Sequence, residues 1–404
     1  MRKICIITTR HISYNPRVLK EADTLSANGY DVTVVTVNNH AGQRRFDEDL
    51  MKTRSWRLRT VNFRREEEKW RWLFFSVRQR IFLLLSRMTY RCGVAERAAE
   101  RAFGELANLA IREKADLYIA HHAEALGAGY KAARRNKAVF GFDAEDFHTG
   151  MNESSTPSAS DDLIYFLESK YLRYCRHLTA ASKLMAEAYR DKYGISLPET
   201  ILNVFPMASL PVREVHDPVR FHWYSQVIGP NRGIEMLLEA AGSIELSFEI
   251  HLRGSMHSSE YRDVLTGLCD RFGISPRVFF HEPILSEQII PDGNNYDVGL
   301  SLESAVSMNR NICVTNKVFS YLMSRLAMIG TDTDGQKDIF THFPDAVVLC
   351  KMNDAQDLAR AMTVFILDRE KLMMAKRAAE KAACERFNWE AESKKLLRSI
   401  QYNL

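Results

Sequence analysis

Apolar and polar positions fall into blocks that repeat along the chain. Ile4 to Thr8 is an apolar run of strand length, followed by a polar loop, Thr9 to Pro16, and a helical pattern from Arg17 to Asn28. Gly29 is placed to end that helix, since glycine takes the left-handed conformation of a helix stop without strain. Asp31 to Val37 is a second apolar run, so the chain opens as strand, helix, strand. Strand patterns return at Ala115–Ala120 and Val139–Phe142. A Ser-rich loop, Asn152–Asp162, leads to a helix over Leu163–Arg176, a strand over Leu178–Ala181, a helix capped by Ser182 and a strand-like Thr200–Val204. Three prolines between Pro206 and Pro218 interrupt the periodicity and mark a linker. The pattern then restarts with Arg220–Tyr224, a loop Ser225–Gly233, a helix to Gly242, a strand ending at Arg253-Gly254 and a strand Val278–Phe280. Asp297 to Asp338 continues with an apolar run (Val298, Leu300, Leu302), a polar loop, a helix from Thr315 and a second apolar run, Ala327–Gly330. Strands alternating with helices in two stretches predict an α/β protein of two parallel-sheet domains, 1–205 and 206–386.

Composition supports that division. At 404 residues the chain is long for one domain, and 46% apolar against 26% charged residues is enough for two cores. The formal charge of +4 is mild and points to no nucleic-acid partner. Seven scattered cysteines without a CxxC pair suggest a reducing compartment and no zinc site. The start of the chain reads as a strand rather than a signal peptide. No apolar run reaches the roughly 18 residues of a membrane span. The expected location is cytoplasmic, with attachment to the inner face of the membrane left open.

One stretch differs in kind. Lys52 to Arg91 holds twelve Lys or Arg against three Glu, with eight aromatics that include Trp56, Trp70 and Trp72. Phe74, Val77, Ile81, Leu84, Leu85 and Met88 share one helical face, opposite Arg80, Arg87 and Arg91. Such a helix suits an anionic membrane surface; the other readings are a core-facing helix with a solvated basic face, or a nucleic-acid contact.

Sites in open α/β sheets form at the carboxyl ends of strands. That places Tyr14, Asn15 and Arg17 near a ligand, although Arg17 also reads as a solvated helix-start arginine. The first loop lacks GxGxxG, which removes the main support for dinucleotide binding. His121 and His122 end one strand, and the next delivers Asp143 to Thr149, with Glu145 and His148, to the same edge. In the second half, Thr315 is an expected N-cap with Asn316 and Lys317 in the first turn. A lysine there opposes the helix dipole unless an anion sits between them; the alternative is a solvated surface lysine. Arg232 and Arg253 are expected to converge on the same helix start and, with Lys317, to suit a diphosphate.

Several segments are similar to a known family. WYSQVIGPNRG (223–233), LRG (252–254), YDVGLSLE (296–303) and TNKVFSYLMSRLAMIGTDTDGQ (315–336) resemble the donor-binding half of GT-B, family-4-like glycosyltransferases. SYNPRVLKEADTLSANGYDVTVV (13–35), YIAHHAEALGAGYKAA (118–133) and FDAEDFHTG (142–150) resemble their acceptor domain, and Phe387-Asn-Trp389 their closing segment. The resemblance implies two Rossmann-like domains facing each other across a cleft, with residues 387–404 crossing back to the first. It implies metal-independent, cofactor-free, retaining transfer of a sugar from a UDP- or GDP-sugar to a glycan or lipid-linked acceptor, in surface polysaccharide or glycoconjugate assembly. His121, Lys317 and Arg232 take the catalytic roles. Ser225, Gln226, Arg253, Glu303, Asn309, Thr315 and Asn316 complete the donor side; Tyr14, Asn15, Arg17, His122, Glu145 and His148 form the acceptor side.

The chain departs from the family pattern at named positions. The acids of the E-x7-E motif fall at Ser320 and near Ile312, leaving Glu303, Asn309 and Asn316 as polar substitutes. Arg325 stands where a glycine is usual, and Asp332-Thr-Asp334 reads as a loop rather than a metal-binding DxD. Two other functions fit these departures: a nucleotide-sugar epimerase of the same fold, and an inactive relative serving as a binding subunit.

Overall fold

The computed structural model describes residues 1–154, 156 and 158–404, with helix positions 41 and 43 described by backbone alone. The chain divides into two compact units, Met1–Ile201 with Ser393–Leu404, and Leu202–Glu392.

The first unit is built on strands β1 (Lys3–Ile7), β2 (Asp31–Asn38), β3 (Arg57–Asn62), β4 (Leu117–His121), β5 (Val139–Ala144), β6 (His177–Ala180) and β7 (Glu199–Thr200). They form one seven-stranded sheet in the order β3-β2-β1-β4-β5-β6-β7, parallel throughout. Parallel strands covered on both faces read as unbroken apolar runs, and Ile4, Cys5, Ile6 and Ile7 are accordingly buried. The first helix, Pro16–Ala27, starts with proline at its first turn and Asn15 as its cap, the Asn15 side chain accepting from the Val18 N–H (3.1 Å).

The second unit carries β8 (Val219–Ile228), β9 (Phe248–Met256), β10 (Val278–His281), β11 (Val298–Ser301), β12 (Ala327–Thr331) and β13 (Val347–Cys350). Their order is β10-β9-β8-β11-β12-β13, again parallel. Strand order reverses between β1 and β4 in one unit and between β8 and β11 in the other, the positions where such sheets open a crevice. Asp297 anchors the second sheet from below. Its buried carboxylate takes the Lys376 ammonium (3.0 Å) and the backbone N–H groups of His216 and Arg220 (3.3 and 3.0 Å).

The basic stretch is two elements, not one. β3 is an edge strand paired to β2, and Trp56 just before it is buried, its indole N–H donating to Asp23 (2.6 Å). Trp56 is thereby set apart from the helix that carries Trp70 and Trp72. The helix Lys69–Ser86 buries Phe75, which stacks edge-on against Phe63. Its predicted apolar face points outward: Phe74 is 59% exposed, Leu84 60% and Met88, just past the helix, 85%; Trp70 is exposed as well. The core-facing alternative is therefore wrong for that face. Among the described residues no helix is long and apolar enough to cross a membrane.

Other boundaries shift by a few residues. The helix expected from Leu163 spans Ala159–Tyr171, because Ser158 and Asp161 form a capping box inside the Ser-rich loop. Positions 155 and 157 of that loop lie outside the described residues. The strand-like Thr200–Val204 contributes only Glu199–Thr200.

Candidate active site

In the first unit, strand register assembles a charged cluster at the carboxyl edge. His121 pairs with Asp143 across β4 and β5, and Asp143 with Thr179 across β5 and β6, so three polar side chains stand on adjacent strands. Arg17, Lys20 and Glu21 are spaced to share one face of the first helix, which brings them over the same edge. Arg17 donates from Nε and Nη2 to both Asp143 oxygens (2.6 and 2.7 Å) and from Nη1 to the Ile201 carbonyl (2.7 Å). Thr179 also donates to Asp143. Arg17 is thus neither solvated nor open to a ligand; its fork is spent inside the cluster.

His121 is fully enclosed. Nε2 lies 2.6 Å from Glu21 and Nδ1 3.3 Å from Asp143. Burial alone would lower its pKa, but Asp143 and Glu21 together hold the ring above its ordinary value. The same balance acts in reverse on Asp143: burial opposes its charge, and Arg17 with His121 keeps it well below the usual carboxylate range. As placed, His121 acts on two carboxylates.

His122 follows with a positive φ of 69° and its Nδ1 3.3 Å from the Thr8 hydroxyl, while Nε2 stands 3.9 Å from Glu145. Burial, then the charge of Arg10, pushes His122 down, so neighbouring histidines are driven in opposite directions. Burial pushes Glu145 up, and burial with Arg17 pushes Lys20 down to about 7. His148 hydrogen-bonds the Tyr189 hydroxyl (3.1 Å) beside Glu168, whose pull outweighs burial and raises it. The Asn15 oxygen serves as a cap while its amide nitrogen is buried without a hydrogen-bond partner, and Tyr14 is exposed. Sequence reading brought Asp143 to this edge without a role and missed Lys20, Glu21 and Thr179. The signal for Lys20 and Glu21 was their helical spacing from Arg17.

In the second unit the helix Asn316–Met323 begins at Thr315, but no side chain caps it. The Thr315 hydroxyl instead turns to Glu303 (3.4 Å), correcting the expected cap. The buried Glu303 carboxylate also lies 2.5 Å from the Lys317 ammonium, and this charge overrides burial to hold Glu303 below its ordinary value. Lys317 stands 5.5 Å over the Trp223 ring. The offset that a lysine needs at a helix start therefore comes from Glu303 within the protein, and the helix N–H groups keep their positive end.

Arg232 donates to the Ser225 hydroxyl (3.0 Å). Ser225 and the exposed Gln226 lie where the β8–β9 ladder slips between Tyr224 and Val227. Two glycines permit this arrangement. A Cβ on Gly254, whose φ is 151°, would stand 2.4 Å from the Ser225 carbonyl; one on Gly233, at φ 75°, would stand 2.8 Å from the Leu302 carbonyl. Arg253 does not join this group: its fork closes on Asp292 (2.9 and 2.9 Å), and Nη1 donates to the Glu282 carbonyl (2.8 Å). The expected convergence of three cations is thus not met by Arg253; Lys317 is held by Glu303 and Arg232 by Ser225.

The departures from the family pattern have structural accounts. Ser320 shares a hydrogen bond with the Tyr224 hydroxyl (2.7 Å) and donates to the Lys317 carbonyl (2.8 Å). Asn309 and Ile312 are buried in the short helix Met308–Ile312. Asp334 starts the helix Asp334–Phe340 rather than lying in a loop, and Asp332 accepts from the Met352 N–H (2.8 Å). Arg325 occupies the left-handed region, at φ 63°, that a glycine would favour. Its guanidinium donates to the carbonyls of Met323 (3.2 Å) and Ala208 (3.1 Å) and lies 3.6 Å from both Glu380 and the Cys384 sulfur.

Residues 14–206 match the glycosyl transferase 4-like domain. Solved structures resemble the chain over its whole length at low identity. Anabaena HepE in complex with UDP-glucose is 14% identical, with 100% of each chain covered and a TM-score of 0.72. A glycosyltransferase from Rickettsia africae is 13% identical, covering 99% of this chain and 98% of its own at 0.70. Sucrose-phosphate synthase from Thermosynechococcus elongatus is 14% identical, covering 100% and 99% at 0.67. No curated protein sequence matches the chain. The first unit is thus matched by the glycosyl transferase 4-like domain, and the chain as a whole has the GT-B fold.

Proposed function

We propose that the protein transfers a sugar, with retention and without a metal, from a UDP- or GDP-sugar to a glycan or lipid-linked acceptor. The observation that carries this reading is the start of helix Asn316–Met323, where no side chain caps the backbone N–H groups and the Lys317 ammonium of the first turn is held by Glu303. Such a place favours a diphosphate. HepE, which has the same fold, was solved with UDP and with UDP-glucose, which favours a uridine nucleotide. In the transfer, the bond from the anomeric carbon to the diphosphate breaks and a bond to the acceptor oxygen forms. The acceptor proton passes to the departing phosphate, so stabilising the leaving charge is the main catalytic task. Lys317, Arg232 and the helix start do that. The His121–Asp143–Arg17 cluster shapes the acceptor side, with His121 as a positioning residue.

The exposed apolar face of helix Lys69–Ser86 supports a membrane-resting protein whose acceptor is carried on lipid. Radiolabelled UDP- and GDP-sugars incubated with the protein and a membrane extract test the reading. Label in lipid or glycan supports transfer. An altered free nucleotide-sugar would point to an epimerase, and binding without turnover to an inactive subunit.

A further inference from the structure

We propose that the first unit carries a second pocket, built for a phosphoryl group attached to a hydroxylated head such as a sugar phosphate or a glycerophosphate. A cavity of about 750 Å³ lies among helices Val94–Ala99, Phe103–Glu113, Leu126–Asn136 and Ala159–Tyr171. It shares no residue with the strand-end cluster, and its size is that of a small-molecule site.

Its lining is strongly cationic: Arg97, Lys131, Arg134, Arg135 and Lys170 all contribute. Lys170 pairs with Glu96 (2.6 Å). Among the described residues no carboxylate pairs with the other four. Arg97 is fixed at the wall, its guanidinium over the rings of Phe82 (5.4 Å) and Phe103 (5.6 Å) and its Nη1 donating to the Gly93 carbonyl (2.9 Å). Guanidinium and ammonium groups gathered without counter-charge are the usual answer to a phosphate.

A second observation narrows the ligand. Glu96 is only 2% exposed, and its Oε1 accepts from both Lys170 and the Tyr171 hydroxyl. Its Oε2 is buried without a hydrogen-bond partner. A buried carboxylate oxygen left without a donor is costly. A fully ionised phosphoryl group would not supply one, whereas a neighbouring hydroxyl would. Gly127 makes room for Glu96, since a Cβ there would stand 2.7 Å from its Cγ. Tyr130, Tyr171 and Phe103 give flat apolar surface for a polyol ring or chain.

Calorimetry on the full chain tests this with glucose 1-phosphate, with and without saturating UDP, and cosedimentation tests it with phosphatidylglycerol–phosphatidylcholine vesicles. The variant is Lys131→Gln/Arg134→Gln/Arg135→Gln, whose side chains are exposed at the pocket mouth, so the fold survives. The expected result is that one ligand binds the native protein and loses at least tenfold in affinity in the variant, with UDP affinity unchanged. Loss confined to glucose 1-phosphate identifies a soluble ligand; loss confined to vesicles identifies a lipid headgroup. If neither ligand binds, or the variant binds as tightly as the native chain, the pocket proposal is overturned.

Discussion

The Lys317 ammonium lies 2.5 Å from the Glu303 carboxylate at the start of helix Asn316–Met323. The pair is largely shielded from water and leaves a cation held in position but electrically balanced. Lys317→Ala is expected to weaken UDP binding by about 1.5–3 kcal/mol, the worth of a charged hydrogen bond. Glu303→Gln releases the ammonium and should tighten UDP binding, an effect absent when Lys317 is already alanine. Calorimetry on the four proteins of this cycle decides; identical affinities throughout would remove both residues from the donor site.

His121 makes the first unit sensitive to pH. Its folded pKa stands above the ordinary imidazole value, so its contribution to stability is whole below about pH 6.5. That contribution disappears as pH rises through the raised folded value. The stability gap between native protein and His121→Gln, measured by urea unfolding, should therefore narrow from pH 6 toward alkaline pH. A gap that widens would mean that the ring is buried neutral. Asp143 has the opposite sign: its folded pKa is depressed, so its contribution is present above the ordinary carboxylate value and lost only in strong acid.

Gly254 sets the path of the strand that carries Ser225. Gly254→Ala forces a methyl against the Ser225 carbonyl and strains a backbone that alanine rarely adopts. A loss of about 1–3 kcal/mol in stability is expected, together with weaker UDP binding through Arg232. Unchanged stability in urea would show that the approach of the two strands is looser than described.

The outward face of helix Lys69–Ser86 predicts lipid binding independent of sugar transfer. Vesicle flotation should show the native protein rising with anionic and less with neutral vesicles. Trp70→Ser/Phe74→Ser/Leu84→Ser should abolish it without loss of fold, since these side chains are exposed. Equal flotation with neutral lipid would count against an anionic surface.

Much of the fold was legible because parallel, doubly covered strands leave unbroken apolar runs, as at Ile4–Ile7 and Val298–Leu300. The edge strand Arg57–Asn62 was not, because its alternating arginines mimic a basic surface segment while serving the solvent side of a sheet rim. In the candidate site, the placing of His121 and His122 at a strand end and of Lys317 at a helix start was readable. Their partners were not. Glu21 meets His121 across 100 positions, and that encounter depends on β1 and β4 being neighbours, which no local pattern states. Arg253 was misread for the same reason, since Asp292 reaches it only once β9 and the helix Ile289–Gly293 are in place.

Arg325 carries a consequence for how this chain tolerates change. Glycine at that position would relax the backbone and leave the Ala208 and Met323 acceptors without their donor. Alanine would keep the strained turn and lose the donor as well. Lysine would reach one acceptor where the guanidinium spans several. Position 325 is therefore locked, open to replacement only if the proline-bearing segment around Ala208 and the helix holding Cys384 are rebuilt at the same time.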